Sequence, residues 1–257
     1  MANPVISGTA PQWSVVGAGV STLAVKPFNV GDLLVLGFWG NGGPATAVSG
    51  GGVSKWQCAS SYYDTTGNAY LGMWWGVITQ PGKSTVKVTD PGLGSNYGKL
   101  WVREFMATGA NWSPVIQSPN AGTTGGTPAG SGTTVNYPSL TPSPGGNDLY
   151  IGAAWSYFGH MSPGSAPGFT YYNPGSDAPE MVAYNTSVSS VVAPTATTTD
   201  TGARSAIAVI FTAGMGEVSA PAYAANYAII SSGTGSWTNP GNATGVPTGS
   251  YATWTSP

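Results

Sequence analysis

The sequence predicts an all-β protein: a jelly-roll-like antiparallel β-sandwich built from two repeated halves and followed by an extended C-terminal arm. Three observations predict it. First, 39 Gly and 21 Pro interrupt a chain of 257 residues, and both residues break helices and favour turns. Second, Val30-Gly31-Asp32-Leu33-Leu34-Val35-Leu36-Gly37-Phe38-Trp39 sets a turn pair before an apolar run. That run is too short for a buried helix and too continuous for a surface strand, which suits a core strand. Third, the pattern returns at Asn147-Asp148-Leu149-Tyr150-Ile151-Gly152-Ala153-Ala154-Trp155, with the same turn, the same run and a Trp at its far end.

Each element follows from its local pattern. Trp13 to Val16 and Ser21 to Val25 are two strand candidates, separated from the strand after Asp32 by Pro27 and the Gly31-Asp32 turn. Gly42-Gly43-Pro44 and Gly50-Gly51-Gly52 predict irregular backbone from Gly40 to Gly52. Trp56 to Tyr63 reads as a strand and Asp64 to Asn68 as a turn. The strand Ala69 to Thr79 is rich in aromatics, and neighbouring side chains on a strand point to opposite faces, so Trp74 and Trp75 cannot share one core. Lys83 to Thr89 alternates polar and apolar residues as a half-exposed strand does. From Lys99 to Met106, Leu100, Val102 and Met106 fall on one face and Trp101, Arg103 and Phe105 on the other.

Thr108 to Gly146 is rich in Gly, Ser, Thr and Pro, with a short apolar piece at Pro114 to Ile116. Loops of this length are uncommon inside a domain, so the stretch reads as a crossover with some strand hidden in it. The order then repeats. Asp148 to Trp155 answers Asp32 to Trp39, Phe169 to Tyr172 answers Tyr62 and Tyr63, and Glu180 to Ser187 answers the aromatic strand. Pro194 to Thr199 answers Val86 to Thr89, and Ser205 to Gly214 answers Leu100 to Gly109.

Each half offers about four clear strands, which would leave an apolar face open. One fused sandwich over residues 1–216 is therefore expected, with repeats over about 5–110 and 115–216. Residues 217–257 are expected to form a linker with a strand at Asn226 to Ile230, then an arm or the start of a further β module.

Composition narrows the function. Charged residues make up 6% of the chain, against roughly 25% in ordinary soluble domains. Ten Trp and 13 Tyr are far more apolar material than disordered segments carry. The seven Lys and Arg are scattered, with no basic stripe to neutralise a phosphate backbone, so no nucleic-acid partner is expected. One Cys (Cys58) and one His (His160) provide neither an intramolecular disulfide nor a metal-ligand cluster, and no cofactor is implied. No apolar run is long enough to span a membrane, and the N-terminus lacks the pattern of a secretory signal. Synthesis in a cytosol together with a charge-poor, aromatic-rich composition fits a virus particle assembled there and released by lysis.

Catalytic residues are expected to be absent. Asp32, Asp64, Asp90, Asp148 and Asp200 sit in turns, where Asp caps its own backbone. Glu104 and Glu180 alone lie on strands with aromatic neighbours, the pair on which a glycoside hydrolase on a sandwich fold would depend. His160 lies in a Gly- and Pro-rich loop with no nucleophile elbow nearby. The aromatics are the better lead, since Trp and Tyr rings can stack on sugar faces with little desolvation of charge. Trp39, Trp56, Trp74, Tyr62 and Tyr63 are the candidate glycan contacts, and the same rings equally suit a core or a subunit interface.

The order Gly-Asp-Leu-Leu-Val-Leu, an aromatic strand, Thr-Val-Lys-Val-Thr and Val-Arg-Glu-Phe-Met-Ala-Thr-Gly-Ala, taken up again from Asn147, resembles the β-sandwich modules of minor tail and tail-fibre proteins in bacteriophages of actinobacteria. Trp237 to Ala243, with Tyr251-Ala252-Thr253 after it, looks like the opening of another module frequent in such proteins. The resemblance covers roughly residues 5 to 257. It implies a virion structural protein, homotrimeric and exposed for host contact; assembly in the host cytoplasm with other virion subunits and adhesion to a host envelope glycan are the accompanying expectations. It carries over no catalytic or binding residue. A carbohydrate-binding module and a glycoside hydrolase are the alternatives.

Overall fold

The computed structural model describes residues 5–15, 19–41, 44–64, 67–89, 98–107, 110–115, 133–143, 148–157, 159–174, 179–199, 204–215, 234–235 and 254–255. The described residues contain no helix, and all the ladders are antiparallel. The chain divides into two units, 1–214 and 215–257.

The first unit opens with β1 (Val5–Val15), β2 (Val20–Val25), β3 (Leu33–Asn41) and β4 (Ala47–Gly50). It continues through β5 (Gln57–Asp64), β6 (Ala69–Val77), β7 (Ser84–Thr89) and β8 (Gly98–Met106). A second set of eight follows, beginning with β9 (Ala110–Val115), β10 (Thr134–Asn136), β11 (Asp148–Ser156) and β12 (Met161–Ser162). It ends with β13 (Thr170–Tyr172), β14 (Glu180–Val188), β15 (Thr195–Thr198) and β16 (Arg204–Met215). The first set forms a five-stranded sheet, β1-β8-β3-β6-β5, and a three-stranded one, β2-β7-β4. The second forms β9-β16-β11-β14-β13 and β10-β15-β12, the same orders with eight added to every strand number. In each half, strands 1-8-3-6 against 2-7-4 follow the jelly-roll path, with the fifth strand moved onto the larger sheet. In the second unit, β17 (Thr234–Gly235) pairs with β18 (Trp254–Thr255). The strand expected at Asn226 to Ile230 lies outside the described residues.

Three cores hold the first unit together. One lies between β2-β7-β4 and the first large sheet, with Leu23, Val86 and Val88 facing Leu34, Leu36 and Leu100. A second lies between β10-β15-β12 and the other large sheet, around Val135, Tyr137, Tyr150 and Ile210. The third lies where the two large sheets pack face to face, with Leu33, Val35, Trp75, Trp101 and Phe105 against Ile151, Trp155, Val182, Tyr184 and Phe211. The all-β, sandwich-like fold expected from the sequence is thus present within residues 1–214, as four antiparallel sheets with the two large ones packed face to face between the two small ones. This stacking explains the continuous apolar runs. On β3, Leu33, Val35 and Trp39 serve the central core while Leu34, Leu36 and Phe38 serve the outer one, so every position from Leu33 to Gly40 is buried. β11 is buried at all nine positions for the same reason.

Side-chain alternation on the other central strands follows the sequence pattern. Trp75 enters the central core and Trp74 packs against the outer one. Leu100 and Val102 oppose Trp101 and Phe105 across β8. The backbone expected to be irregular between Gly40 and Gly52 instead carries β4, which pairs with β7. Gly50, Gly51 and Gly52 follow with φ near +70 to +77°, and a Cβ at Gly50 would meet the Thr85 carbonyl oxygen at 2.0 Å.

Gly37 shows how closely the central layer is packed. Trp101 on the adjacent strand packs against it, and a Cβ there would sit 2.0 Å from Trp101 Cε2. Gly37→Ala is expected to destabilise the fold by about 1–3 kcal/mol, because a fully buried indole has no space to retreat into. Urea denaturation would check this through a lowered midpoint with an unchanged slope.

Candidate functional site

The most chemically distinctive group is the polar set inside the central core. Trp39 on β3 and Trp155 on β11 meet there with ring centroids 5.5 Å apart and planes at 41°. Each has a polar residue opposite it on its own sheet: Lys99 on β8 faces Trp39, and Glu180 on β14 faces Trp155. Lys99 is 4% exposed and Glu180 is 2% exposed. Trp101 Nε1 donates to Glu180 Oε1 at 2.7 Å, from one half of the fold to the other. Glu180 Oε2 and the indole nitrogens of Trp39 and Trp155 are buried with no partner in full hydrogen-bond geometry, although the Trp39 indole is near enough to Glu180 to act on its carboxyl.

Burial pushes the Glu180 carboxyl up to about 8, against the opposing pull of the Trp101 hydrogen bond, the Lys99 charge and the nearby Trp39 indole. Close by, the Arg103 guanidinium carbon stands 5.8 Å from the ring centres of both Tyr172 and Tyr184. Burial raises the Tyr172 phenol well above its ordinary value, with Arg103 opposing that shift. At neutral pH Glu180 thus holds a proton, as a general acid must, yet it is enclosed between two sheets and presents no open face to a substrate.

Glu104 sits on the opposite face of β8. Its Oε1 accepts the amide N–H groups of Phe28 and Asn29 at 3.0 and 3.4 Å, and its Oε2 that of Phe28 at 3.2 Å. Burial pushes its carboxyl up to about 7, the backbone amides oppose this, and Asp32 adds to it. Asn29 Nδ2 donates to Asp32 Oδ2 at 3.1 Å, and the carbonyl of Gly31 accepts the Trp112 indole N–H at 3.2 Å. These bonds fasten a turn from which Phe28 and Val30 project into solvent. Glu104, on β8, points to the outer side of the first large sheet, whereas Glu180, on β14 of the second large sheet, meets the inner side of the first through Trp101, so the two do not flank a common cleft as a hydrolytic pair must.

The turn aspartates cap backbone as their positions suggest. Asp64 Oδ1 accepts the Gly67 amide at 3.1 Å, and Asp148 Oδ2 accepts that of Ser143 at 2.7 Å. Asp64 also reaches across the fold, where its Oδ2 accepts from Ser205 Oγ at 2.7 Å. Asp90 and Asp200 lie outside the described residues. His160 is exposed, with its backbone bonded to Thr199. Among the described residues, no three His, Cys, Asp or Glu side chains gather as metal ligands would.

The five candidate glycan contacts are not brought together. Trp39 belongs to the central core, and Tyr62 packs against it from the edge strand. Trp56 is buried in the outer core, with its Nε1 donating to the Gly50 carbonyl at 2.9 Å. Neither Trp39 nor Trp56 offers a free ring face to a sugar. Trp74 is half-buried and Tyr63 is exposed. These two share the outer face of the β5–β6 ladder, where Cys58 pairs with Trp74, Ser61 with Gly72 and Tyr63 with Tyr70. Lys99, Trp101 and Glu180 were missed as a group in the sequence reading. The available signal was a charge inside an otherwise apolar strand, rare in a chain with so few charges.

Comparison with protein-family models, with curated proteins and with solved structures finds no match.

The raised Glu180 carboxyl makes stability depend on pH with a definite sign. Its folded value lies above the ordinary 4.5, so the folded protein keeps a proton that the unfolded chain releases. The stability linked to this group is complete below about 4.5 and is lost as pH rises to about 8, at up to ~1.4 kcal/mol per pH unit. Glu180→Gln, which keeps an acceptor for Trp101, is expected to remove this loss. The measurement is the urea midpoint between pH 7 and 8, above the main titration of Glu104 at about 7.

Proposed function

We propose that this chain is a structural component of a bacteriophage virion, a minor tail, tail-tip or fibre protein, that contributes to attachment at the host surface. The observation that carries this reading is the use to which the ionisable groups are put. Glu180, Lys99 and Arg204 are enclosed in the fold and Glu104 fastens a turn, so the buried carboxyls serve architecture instead of opening onto a cleft. Among the described residues, the exposed charges are those of Lys26, Lys55, Lys83 and Lys87, and the other exposed residues are neutral. Such a surface suits repeated contact with other virion subunits, in a homotrimer, and with neutral polymers of a host envelope. The resemblance to tail and fibre modules points the same way.

A carbohydrate-binding module is the second reading, favoured by one observation: half-buried Trp74 and exposed Tyr63 lie on the same face of the ladder at a sheet edge, which Ser61 and exposed Cys58 share.

Antibodies raised against the purified chain are expected to label intact phage particles at one end of the tail in immunogold micrographs. Sedimentation of the purified protein is expected to give the mass of three chains of 25.9 kDa. A monomer that labels no particle but binds a neutral oligosaccharide, with binding lost in Trp74→Ala, would replace the virion reading with the second one.

A further inference from the structure

The contact between the two large sheets has the form of a two-fold dimer interface held within one chain. Aligning β3 with β11 places Trp39 on Trp155, Val35 on Ile151 and Leu33 on Leu149. The ladder partners then correspond as well. Trp75, opposite Val35, matches Tyr184, opposite Ile151, and Phe105, opposite Leu33, matches Phe211, opposite Leu149.

The ring contacts obey this symmetry. Trp39 meets its own counterpart Trp155 at 5.5 Å. Trp75 meets Phe211 at 5.9 Å, and the mirror pair, Tyr184 and Phe105, meets at 5.7 Å. Residue i touching j while the counterpart of j touches the counterpart of i is the signature of an isologous interface.

The polar residues break the symmetry. Glu180 corresponds to Leu71, Lys99 to Ser205, Trp101 to Ile207 and Arg103 to Val209. Glu180 stands on one half. The Trp101 N–H that it accepts and the Lys99 charge that acts on it stand on the other.

We infer that the central face is a pseudo-dimer interface and that Glu180, with Trp101 and Lys99, makes the first half pair with a second half in preference to a copy of itself. A pair of second halves would bury two Glu180 carboxyls against Ser205 and Ile207, with neither the indole donor nor the lysine. A pair of first halves would leave two buried Trp101 N–H groups facing Leu71, although Asp64 would come to face Lys99. Isolated buried polar groups and charges cost several kcal/mol each, so an unlike pairing is favoured by making the like pairings poor. The surface is thereby matched to one partner, the other half of the same fold, and misjoining between neighbouring chains in a crowded assembly is suppressed.

The test compares wild type with the double variant Lys99→Ser, Glu180→Leu, in which two positions take the residue of their counterpart. Donor-labelled and acceptor-labelled full-length chains are mixed in urea and refolded, and the energy transfer that reports halves exchanged between chains is measured. The transfer attributable to exchange is expected to rise at least threefold in the double variant. Equal transfer in the two proteins would overturn the inference. Glu180→Leu alone provides the same reading should the double variant not refold. A thermodynamic cycle on Trp101→Phe and Glu180→Leu adds a measure of the contact itself. Coupling of at least threefold in the unfolding constant is expected, and additive effects would overturn the role given to Glu180.

Discussion

The constraint on which the molecule depends is the burial of two five-stranded sheets against each other while each is also covered on its far side. A strand at the centre of such a stack has no solvent face, so every position on it must be apolar, small or carry a satisfied polar group. β3 and β11 meet that requirement along almost their whole length, which is why two short runs with the same pattern stand out in the chain. Burying a large side chain of this kind contributes roughly 1.5–3 kcal/mol, and the central core collects many of them. The backbones of β3 and β11 are paired by ladders on both sides, as this burial requires.

Against that background, a buried carboxyl and a buried lysine are costly choices. Replacing an interior polar pair by apolar residues of similar size is often neutral or stabilising, and Leu71 at the position corresponding to Glu180 shows a workable apolar solution within the same fold. Glu180 instead shares a hydrogen bond with Trp101 and leaves an oxygen with no partner in full hydrogen-bond geometry. Glu104 is different in kind. It accepts two backbone amides that would otherwise compete for water in a tight turn. One acid fastens local backbone, and the other sits where the two halves meet.

Much of the architecture was legible because it rests on local patterns. A turn pair ending in Asp, Gly31-Asp32 and Asn147-Asp148, followed by an apolar run found β3 and β11, and strict alternation placed Trp74 apart from Trp75 and Leu100 apart from Trp101. What escaped was short or non-local. β4, β10 and β12 have two to four residues each, too few for a period to appear, and without them each half seemed to lack a second sheet. The site was harder to read for a related reason. A Trp that stacks on a ligand and one that fills a core have the same local sequence, so burial separated Trp39 and Trp56 from Tyr63 only once strand order was known. The Glu180–Trp101 bond joins different halves of the chain, and no spacing rule reaches across that interval.

Low charge poses one further physical problem, because sheet edges are commonly guarded against unwanted pairing by charged side chains. This chain has few to spare and blunts its edges by shape. β1 is interrupted by a register shift between Ser7 and Gln12 with Pro11 inside it, and β5 by one between Cys58 and Ser60. β9 contains Pro114, which has no amide to donate, while β10, β12 and β13 are two or three residues long. Irregularity and brevity need no ions, so they remain effective in a chain with few charges. Among the described residues, Phe28 and Val30 on a fastened turn and Tyr63 on the edge ladder are large apolar side chains left exposed beside such irregular backbone.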